Sequence, residues 1–451
     1  MLNIDGQDKD LLQSPSLPGK TMRRHIYRLA LPNIISNVTV PLLSMVDVGL
    51  AGHLGRPEAV GAIGVASGVI SLVYWLFAFL RMGTTGFTAQ AYGRSDVTGI
   101  LIQLCRGLLL AIILGIIIWF ARDLMYAVGI FLSAGSQSIA DETKTYLQYA
   151  FAGAPAALML YVLNGWFVGM QDTRIPMWVA IGQNVLNILL SLILVKYAGL
   201  GVAGLAIGTV SAQYVGVLAL LTAFAVKYTR LLALISQRHF VSTLHLAVSM
   251  GMGGLLLLRT LLLSGISLFF TYASAKFGAN TLAANILLMQ LFTLFSYFLD
   301  GLAYAGEALA GRYIGQRNPY RFALMRRQLF RIGFFVATAI ALLYLLFPSF
   351  LLRLLTNDAT VYNEAMSMVF WISLIPLCSF AAFLWDGIMV GATASGMMLA
   401  TILFGAMCFF SCYFISVGNL GVWGLWLSFD LYLLFRSLAS WKLGKRLRCS
   451  Y

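Results

Sequence analysis

Seven ionisable residues interrupt stretches otherwise apolar enough to lie in a bilayer: Asp47, Arg81, Arg259, Asp300, Glu307, Asp386 and Asp430. A charge at that depth costs about 2.5–3.5 kcal/mol on insertion scales, so each is retained for an ion pair, an interhelical hydrogen bond or the handling of an ion or ligand. Asp47 stands apart because its stretch also holds Pro32, Asn33, Asn37, Thr39 and Pro41. Proline brings no amide proton and crowds the carbonyl four residues back, for Pro41 that of Asn37, so a helix here is expected to bend, with Pro32 a second weak point. A carboxyl group beside a bendable helix is expected to exchange a proton as its surroundings alternate between wet and dry.

Asn184, Asn187 and Ser191 are spaced by three or four residues and so share a helix face, and Thr209 follows in the next apolar stretch. Such a face either hydrogen-bonds a carboxyl group, completes an oxygen-rich cation site or ties helices together. Asp300 and Glu307, seven apart, share another face, and Arg259 is expected to be neutralised by Asp300 or Asp386, while Asp430 and Arg81 are expected to form local pairs. If these groups line a cleft, its candidate residues are Asn37, Arg81, Met82, Arg259, Met289, Tyr297, Asp300, Glu307 and Asp386. Met and aromatic side chains there suit an apolar or cationic ligand, although Trp166, Met170, Phe298 and Trp385 belong by default to core or lipid-facing surface.

Catalytic patterns are missing from the sequence. His25, His53, His239 and His245 have no metal-ligand spacing, no phosphate-binding glycine loop occurs, and Cys105, Cys378, Cys408, Cys412 and Cys449 show no paired spacing. We expect no enzyme activity, no metal, no cofactor and no direct use of ATP, which leaves coupling to an ion gradient. Nor does any nucleic-acid motif accompany the net charge of +14.

The elements that position these groups follow from composition. Of 451 residues, 60% are hydrophobic and 10% charged, with a mean hydropathy of +0.86, whereas soluble domains carry about a quarter charged residues. Twelve stretches are long enough to cross hydrocarbon: 29–52, 61–83, 101–120, 145–168, 176–197, 201–226, 247–273, 281–305, 331–352, 365–390, 396–417 and 421–441. The expected fold is therefore an all-α polytopic membrane protein of twelve transmembrane helices, since short alternating barrel strands are absent from the pattern. Outside the span cores, 22 basic residues, Arg436 among them, fall on the side of the N-terminus, against six (Arg56, Arg122, Lys144, Lys196, Lys276 and Arg353) on the other. That asymmetry places both termini in the cytoplasm. The first twenty residues lack the basic start and apolar run of a cleaved signal.

The two halves repeat. GHLGRPEAVGAIG from Gly52 faces AKFGANTLAANIL from Ala275 at an offset of 223; AQAYGRSD faces GRYIGQRN, with Gly93 matching Gly315 at 222. NGWFVGMQDT from Asn164 faces DGIMVGATAS from Asp386, with Gly169 matching Gly391 at 222, and LGVAGLA from Leu200 faces LGVWGLW from Leu420 at 220. Ordered anchors at nearly one offset point to a duplicated six-span unit, and an even span number makes the repeats parallel, with a cleft between two bundles. The expected organisation is a tail over 1–21, an N-lobe over 22–228, a surface linker over 229–246 and a C-lobe over 247–451.

On LALPNIISNVTVPLLSMVDVGLAGHLG, FLRMGTTGFTAQAYG, FLDGLAYAGEALAGRYIG and LWDGIMVGAT, the chain resembles the multidrug and toxic compound extrusion (MATE) family, specifically its DinF-like branch. The resemblance covers nearly the whole chain. It implies a two-lobed antiporter of a bacterial inner membrane that exports amphipathic, often cationic compounds in exchange for H⁺ or Na⁺, with small drug-like substrates and membrane lipid as partners, and monomeric. Asp47 matches the family's span 1 aspartate, and Asn187 and Thr209 match its polar partners. Ser191 stands where many relatives have a second aspartate, and Arg259 lies on a span where Na⁺-binding branches have an acid; both departures favour H⁺. The alternatives are a flippase for lipids or lipid-linked saccharides, which would need a strongly cationic cleft, and, from another class, an intramembrane enzyme.

Overall fold

The computed structural model describes the backbone of residues 19–52, 57–132, 137–229, 231 and 247–447, and side chains throughout these except at 40–45, 47, 48, 51, 52, 57, 58, 131, 132 and 247–252. The described residues form seventeen α-helices and one short 3₁₀ turn, with no strand among them. In chain order the helices are α1 Gly19–Gly52, α2 Pro57–Leu76, α3 Phe79–Gly93, α4 Val97–Phe120, α5 Arg122–Leu132, α6 Gln137–Ala150, α7 Ala154–Gly169, α8 Arg174–Lys196 and α9 Gly201–Lys227. The second half holds α10 Ala247–Ala275, α11 Ala279–Gly315, α12 Pro319–Leu346, α13 Pro348–Leu355, α14 Ala359–Ser367, α15 Val369–Gly391, α16 Ser395–Leu420 and α17 Val422–Gly444.

Ten segments are long and apolar enough to cross a membrane, α2–α3 and α6–α7 each counting as one. Helices α1 and α17 occupy the positions of the first and last spans, so the order agrees with twelve crossings in two six-helix bundles. Some spans run past their expected limits: α11 continues ten residues beyond 305, and α12 begins at Pro319 rather than near 331. Charged residues such as Glu307, Arg312 and Arg321 mark an end in sequence, yet here they are buried in protein. The linker expected over 229–246 falls almost wholly outside the described residues.

The 222-residue repeat is visible in the backbone. Left-handed non-glycine residues occur in matched pairs, Ser95 (φ 57°) with Arg317 (φ 50°) and Gln171 (φ 65°) with Thr393 (φ 55°). Helix starts match too: Asp96 caps the Gly99 amide of α4 and Asn318 caps the Arg321 amide of α12. Within each lobe a glycine lets two helices touch, since a Cβ at Gly165 would overlap the Arg81 carbonyl and one at Gly387 that of Ala303. Gly169 and Gly391 meet the carbonyls of Thr85 and Glu307 in the same way.

The lobes join near the face that bears the start of α1 and the end of α17, the terminal face. There α3 and α11 cross reciprocally: a Cβ at Gly93 would overlap the Arg312 carbonyl, and one at Gly315 the Gln90 carbonyl. Between them, a Cβ at Gly311 would lie 2.6 Å from the Cβ of Ala89, its own counterpart. The Gln90 side chain donates to the Gly391 carbonyl at 2.9 Å and that of Gln171 to the Ala308 carbonyl at 2.9 Å. Helix α1 straddles the lobes. Its first turns bury Met22, Ile26 and Leu29 in a core shared with Leu302, Leu309 and Leu329, while Thr39 accepts from Asn184 of α8 at 2.9 Å. Pro32, without an amide proton, leaves the Arg28 carbonyl free of its intrahelical donor, and the Thr173 hydroxyl donates to that oxygen at 3.4 Å. Even so, α1 is helical without interruption from Gly19 to Gly52.

Candidate functional site

A chamber of about 510 Å³ lies between the lobes, lined from both. It stops one helical turn short of the α3–α11 seam, so the seam closes it toward the terminal face. Local backbone breaks aim its polar groups. Between α2 and α3 the amides of Phe77 and Ala78 donate to the carbonyls of Tyr74 and Trp75 at 3.0 and 3.1 Å, a tightened turn that places Trp75, Ala78, Arg81 and Met82 on the chamber wall.

Arg81 crosses the chamber rather than pairing locally. Its Nη1 donates to Glu307 Oε2 at 3.3 Å, and its guanidinium lies 3.9 Å from the centroid of the Tyr304 ring. Two lobes are thereby held by an ion pair whose acid is 2% exposed at the side chain. In the C-lobe wall Arg259 of α10 donates to Asp386 Oδ2 of α15 at 2.6 Å, and Arg436 of α17 donates to the same oxygen. Arg259 therefore takes Asp386, and not Asp300, as its partner. Asp300 lines the chamber with no hydrogen bond or ion pair among the described residues. Asp430, expected in a local pair, is buried with neither carboxyl oxygen hydrogen-bonded.

Of the cleft candidates, Asn37, Arg81, Met82, Arg259, Asp300, Glu307 and Asp386 line this chamber. Met289 does not; it packs on the C-lobe core around Phe409 and Trp426. Nor does Tyr297, whose backbone carbonyl accepts from the Asn37 side chain at 3.4 Å. Both lie on α11, the helix of Asp300 and Glu307; Met289 keeps the register of those acids but sits about five turns from Glu307, whereas Tyr297 is turned off their face. Trp166, Met170 and Trp385 are core residues, as their default predicts, with the Trp166 indole donating to the Ile100 carbonyl at 3.1 Å.

The sequence reading missed Arg436, which it counted among water-facing basic residues near the chain end. Here it is 4% exposed and lines the chamber. Its position four residues after Tyr432, on the same face of an apolar helix, was the available signal.

A second polar group lies in the N-lobe, away from the chamber wall. Asn184 donates to Thr39, Asn187 donates to Thr209 at 2.9 Å, Ser191 donates to Asn187 at 3.4 Å, and Thr209 donates to the Leu205 carbonyl at 3.0 Å. Asn187 and Ser191 are 2% and 0% exposed, and a Cβ at Gly208 would lie 2.7 Å from the Ser191 hydroxyl, so that glycine lets α8 and α9 close over the group. Asp47 and Pro41 belong to α1, two turns and half a turn beyond Thr39, with side chains outside the described residues. Pro32 is buried at the chamber's edge of the same helix. Among the described residues no three His, Cys, Asp or Glu side chains converge in a way that would hold a metal ion.

Paired bundles around a polar chamber that is sealed at one face define a multi-pass membrane transporter. The family model MatE matches residues 32–193 and again 256–414, and the chain belongs to that family. It is 32% identical over 432 residues, 92% of this chain and 90% of its relative, to the DNA damage-inducible protein F of Escherichia coli K12. A probable multidrug resistance protein NorM of Thermotoga maritima is 24% identical over 95% of this chain and 93% of its own. Among solved structures, a MATE transporter in a bent conformation superposes with a TM-score of 0.83 at 21% identity, covering 95% of this chain and 97% of that one. A transporter of the wider MOP superfamily from Pyrococcus furiosus, described as having a binding pocket of reversed polarity, gives a TM-score of 0.82 at 20% identity over 96% and 98% of the two chains. The double match of the family model coincides with the internal repeat. Members of this family are transporters and not enzymes.

Proposed function

We propose that the protein is a proton-coupled antiporter that exports amphipathic, often cationic, small molecules by alternating access. The observation that carries this reading is the interlobe chamber, closed at the terminal face by glycine-mediated contacts of α3 with α11 and polar at its centre. A substrate enters from one side and leaves from the other only if this seam opens as the far side closes. The basic-residue asymmetry supports a terminal face in the cytoplasm of a bacterial inner membrane.

Asp47 is the proton carrier in this scheme. Its helix touches both lobes, through Met22 and Leu29 on one side and Thr39 on the other, so a change of charge on α1 is felt at the seam between them. Antiport requires the proton and the substrate to disfavour each other's binding. Two features favour H⁺ over Na⁺. Asp386 already has two guanidinium partners and offers a cation little, and the N-lobe group supplies neutral amide and hydroxyl oxygens with Ser191 in place of a second acid.

Proteoliposomes with the pH and Na⁺ gradients imposed separately test the reading. Dye efflux should follow the pH gradient in the wild type and be lost in Asp47→Asn. Undiminished proton-driven efflux by that variant removes Asp47 from the mechanism, and efflux driven by Na⁺ alone replaces the coupling ion.

A further inference from the structure

We infer that the outer surface between α12 and α17, at the height where both helices leave the membrane, binds an anionic phospholipid of the leaflet at the terminal face. The site lies outside the chamber and is independent of what the chamber carries. Both helices pack on α15, and aromatic rings join all three, with the Trp441 centroid 4.9 Å from that of Phe330 and 5.9 Å from that of Trp385. The sequence limits of the two spans, 331 and 441, therefore fall at one height. On the hydrocarbon side Phe334 is exposed and lies 5.9 Å from Phe380 of α15, and Leu438 is exposed on α17. These side chains offer a surface to acyl chains. At the rim and beyond it Arg327, Arg331, Lys442 and Lys445 are all exposed.

No acid neutralises them. Neither 319–346 nor 431–451 contains Asp or Glu, and among the described residues none of the four basic side chains enters an ion pair. Asp386, the one acid of α15, already serves Arg259 and Arg436. The internal repeat provides a comparison within the same chain. If these charges served only to orient the protein in its membrane, the N-lobe would need them equally. Yet the residues 222 before Arg327 and Arg331 are Cys105 and Leu109, those 220 before Lys442 and Lys445 are Thr222 and Ala225, and Leu221 stands for Trp441. Only the C-lobe pairs four cations with an indole at this height. Guanidinium and ammonium groups take the oxygens of a phosphodiester, while the indole sits at headgroup level. A zwitterionic headgroup brings its own cation and gains less.

Native mass spectrometry of the full-length protein, delipidated in detergent and titrated with dioleoyl phosphatidylglycerol or dioleoyl phosphatidylcholine, tests the site. The wild type should take its first phosphatidylglycerol at least about tenfold more tightly than phosphatidylcholine. Each basic residue at an anionic lipid surface is worth about fivefold, so Arg327→Gln/Arg331→Gln and Lys442→Gln/Lys445→Gln should each remove most of the preference. Arg94→Gln/Arg174→Gln, which takes two exposed charges from the N-lobe, should retain it. Glycerol 3-phosphate, a headgroup without chains, should not displace the lipid. Equal affinities for the two lipids, a preference that survives both C-lobe pairs or falls equally in the N-lobe pair, or displacement by glycerol 3-phosphate overturns the inference.

Discussion

Replacing Gly311 by alanine probes the seam directly. A Cβ there would lie 2.6 Å from the Ala89 Cβ and 3.1 Å from the Gly391 carbonyl oxygen, whereas carbon atoms pack at about 3.5–4.0 Å. The helices must therefore separate by about 1 Å in any state that keeps the seam closed. Overpacking of this kind costs about 1–3 kcal/mol; the Ala89 part applies only while the seam is closed, whereas the Gly391 contact lies within the C-lobe and is common to both states. The gain in helix propensity from Gly to Ala is common to both states and cancels. At about 1.4 kcal/mol per factor of ten, the ratio of closed to open molecules should fall roughly tenfold. Spin labels at Arg94 and Tyr320, both exposed near the terminal ends of α3 and α12, report this as a second, longer distance population in pulsed electron resonance. Gly83→Ala on the same α3, with nothing within 4 Å of the added methyl, should leave the distribution as in the wild type. Adding Ala89→Gly to the Gly311→Ala variant moves the methyl across the pseudo-axis and should restore most of the closed population. A distribution unmoved by Gly311→Ala, or not restored by the second change, refutes the account of the seam.

Asp386→Asn leaves Arg259 and Arg436 buried with no acid between them; the loss of a buried partner costs about 3–5 kcal/mol, so detergent-solubilised protein should unfold at lower temperature, with Arg259→Gln in that background recovering part of the loss. At the opposite end of the molecule, Asp358 caps α14 by accepting from the Thr360 and Val361 amides. The Thr360 hydroxyl first, then those amides, hold its carboxyl below the usual carboxylate range. A carboxyl lowered in this way stabilises the folded form above its unfolded pKa and loses that effect as pH falls through the folded value. Hydrogen exchange at the start of α14 should accordingly speed up in Asp358→Ala near neutral pH, and the difference from wild type should shrink in acid.

Period and composition make part of this molecule legible from its sequence. The Asn184, Asn187 and Ser191 face follows from helical spacing alone, and Gly93, Gly315, Gly169 and Gly391 betray the repeat because each marks a place where no side chain fits. Partnership across the chamber is another matter. That Arg81 should meet Glu307, 226 residues away, depends on how two lobes approach, which no local pattern encodes. Arg436 was misplaced because a basic residue near the end of the last helix looks the same whether it faces water or turns inward. Met289 keeps the register of the chamber residues on its helix but lies about five turns from Glu307, and Tyr297 is turned off their face, so one helix serves core and cavity at once.

The off-axis contacts of the seam come as twins: what Gly93 does against Arg312, Gly315 does against Gln90. Losing one twin leaves its fellow in place, so the closure tolerates injury on either flank. Ala89 and Gly311 have no such understudy, for each is the other's image. A single methyl at that spot is felt by both halves together, which makes the molecular midpoint the most economical place to bias the whole machine.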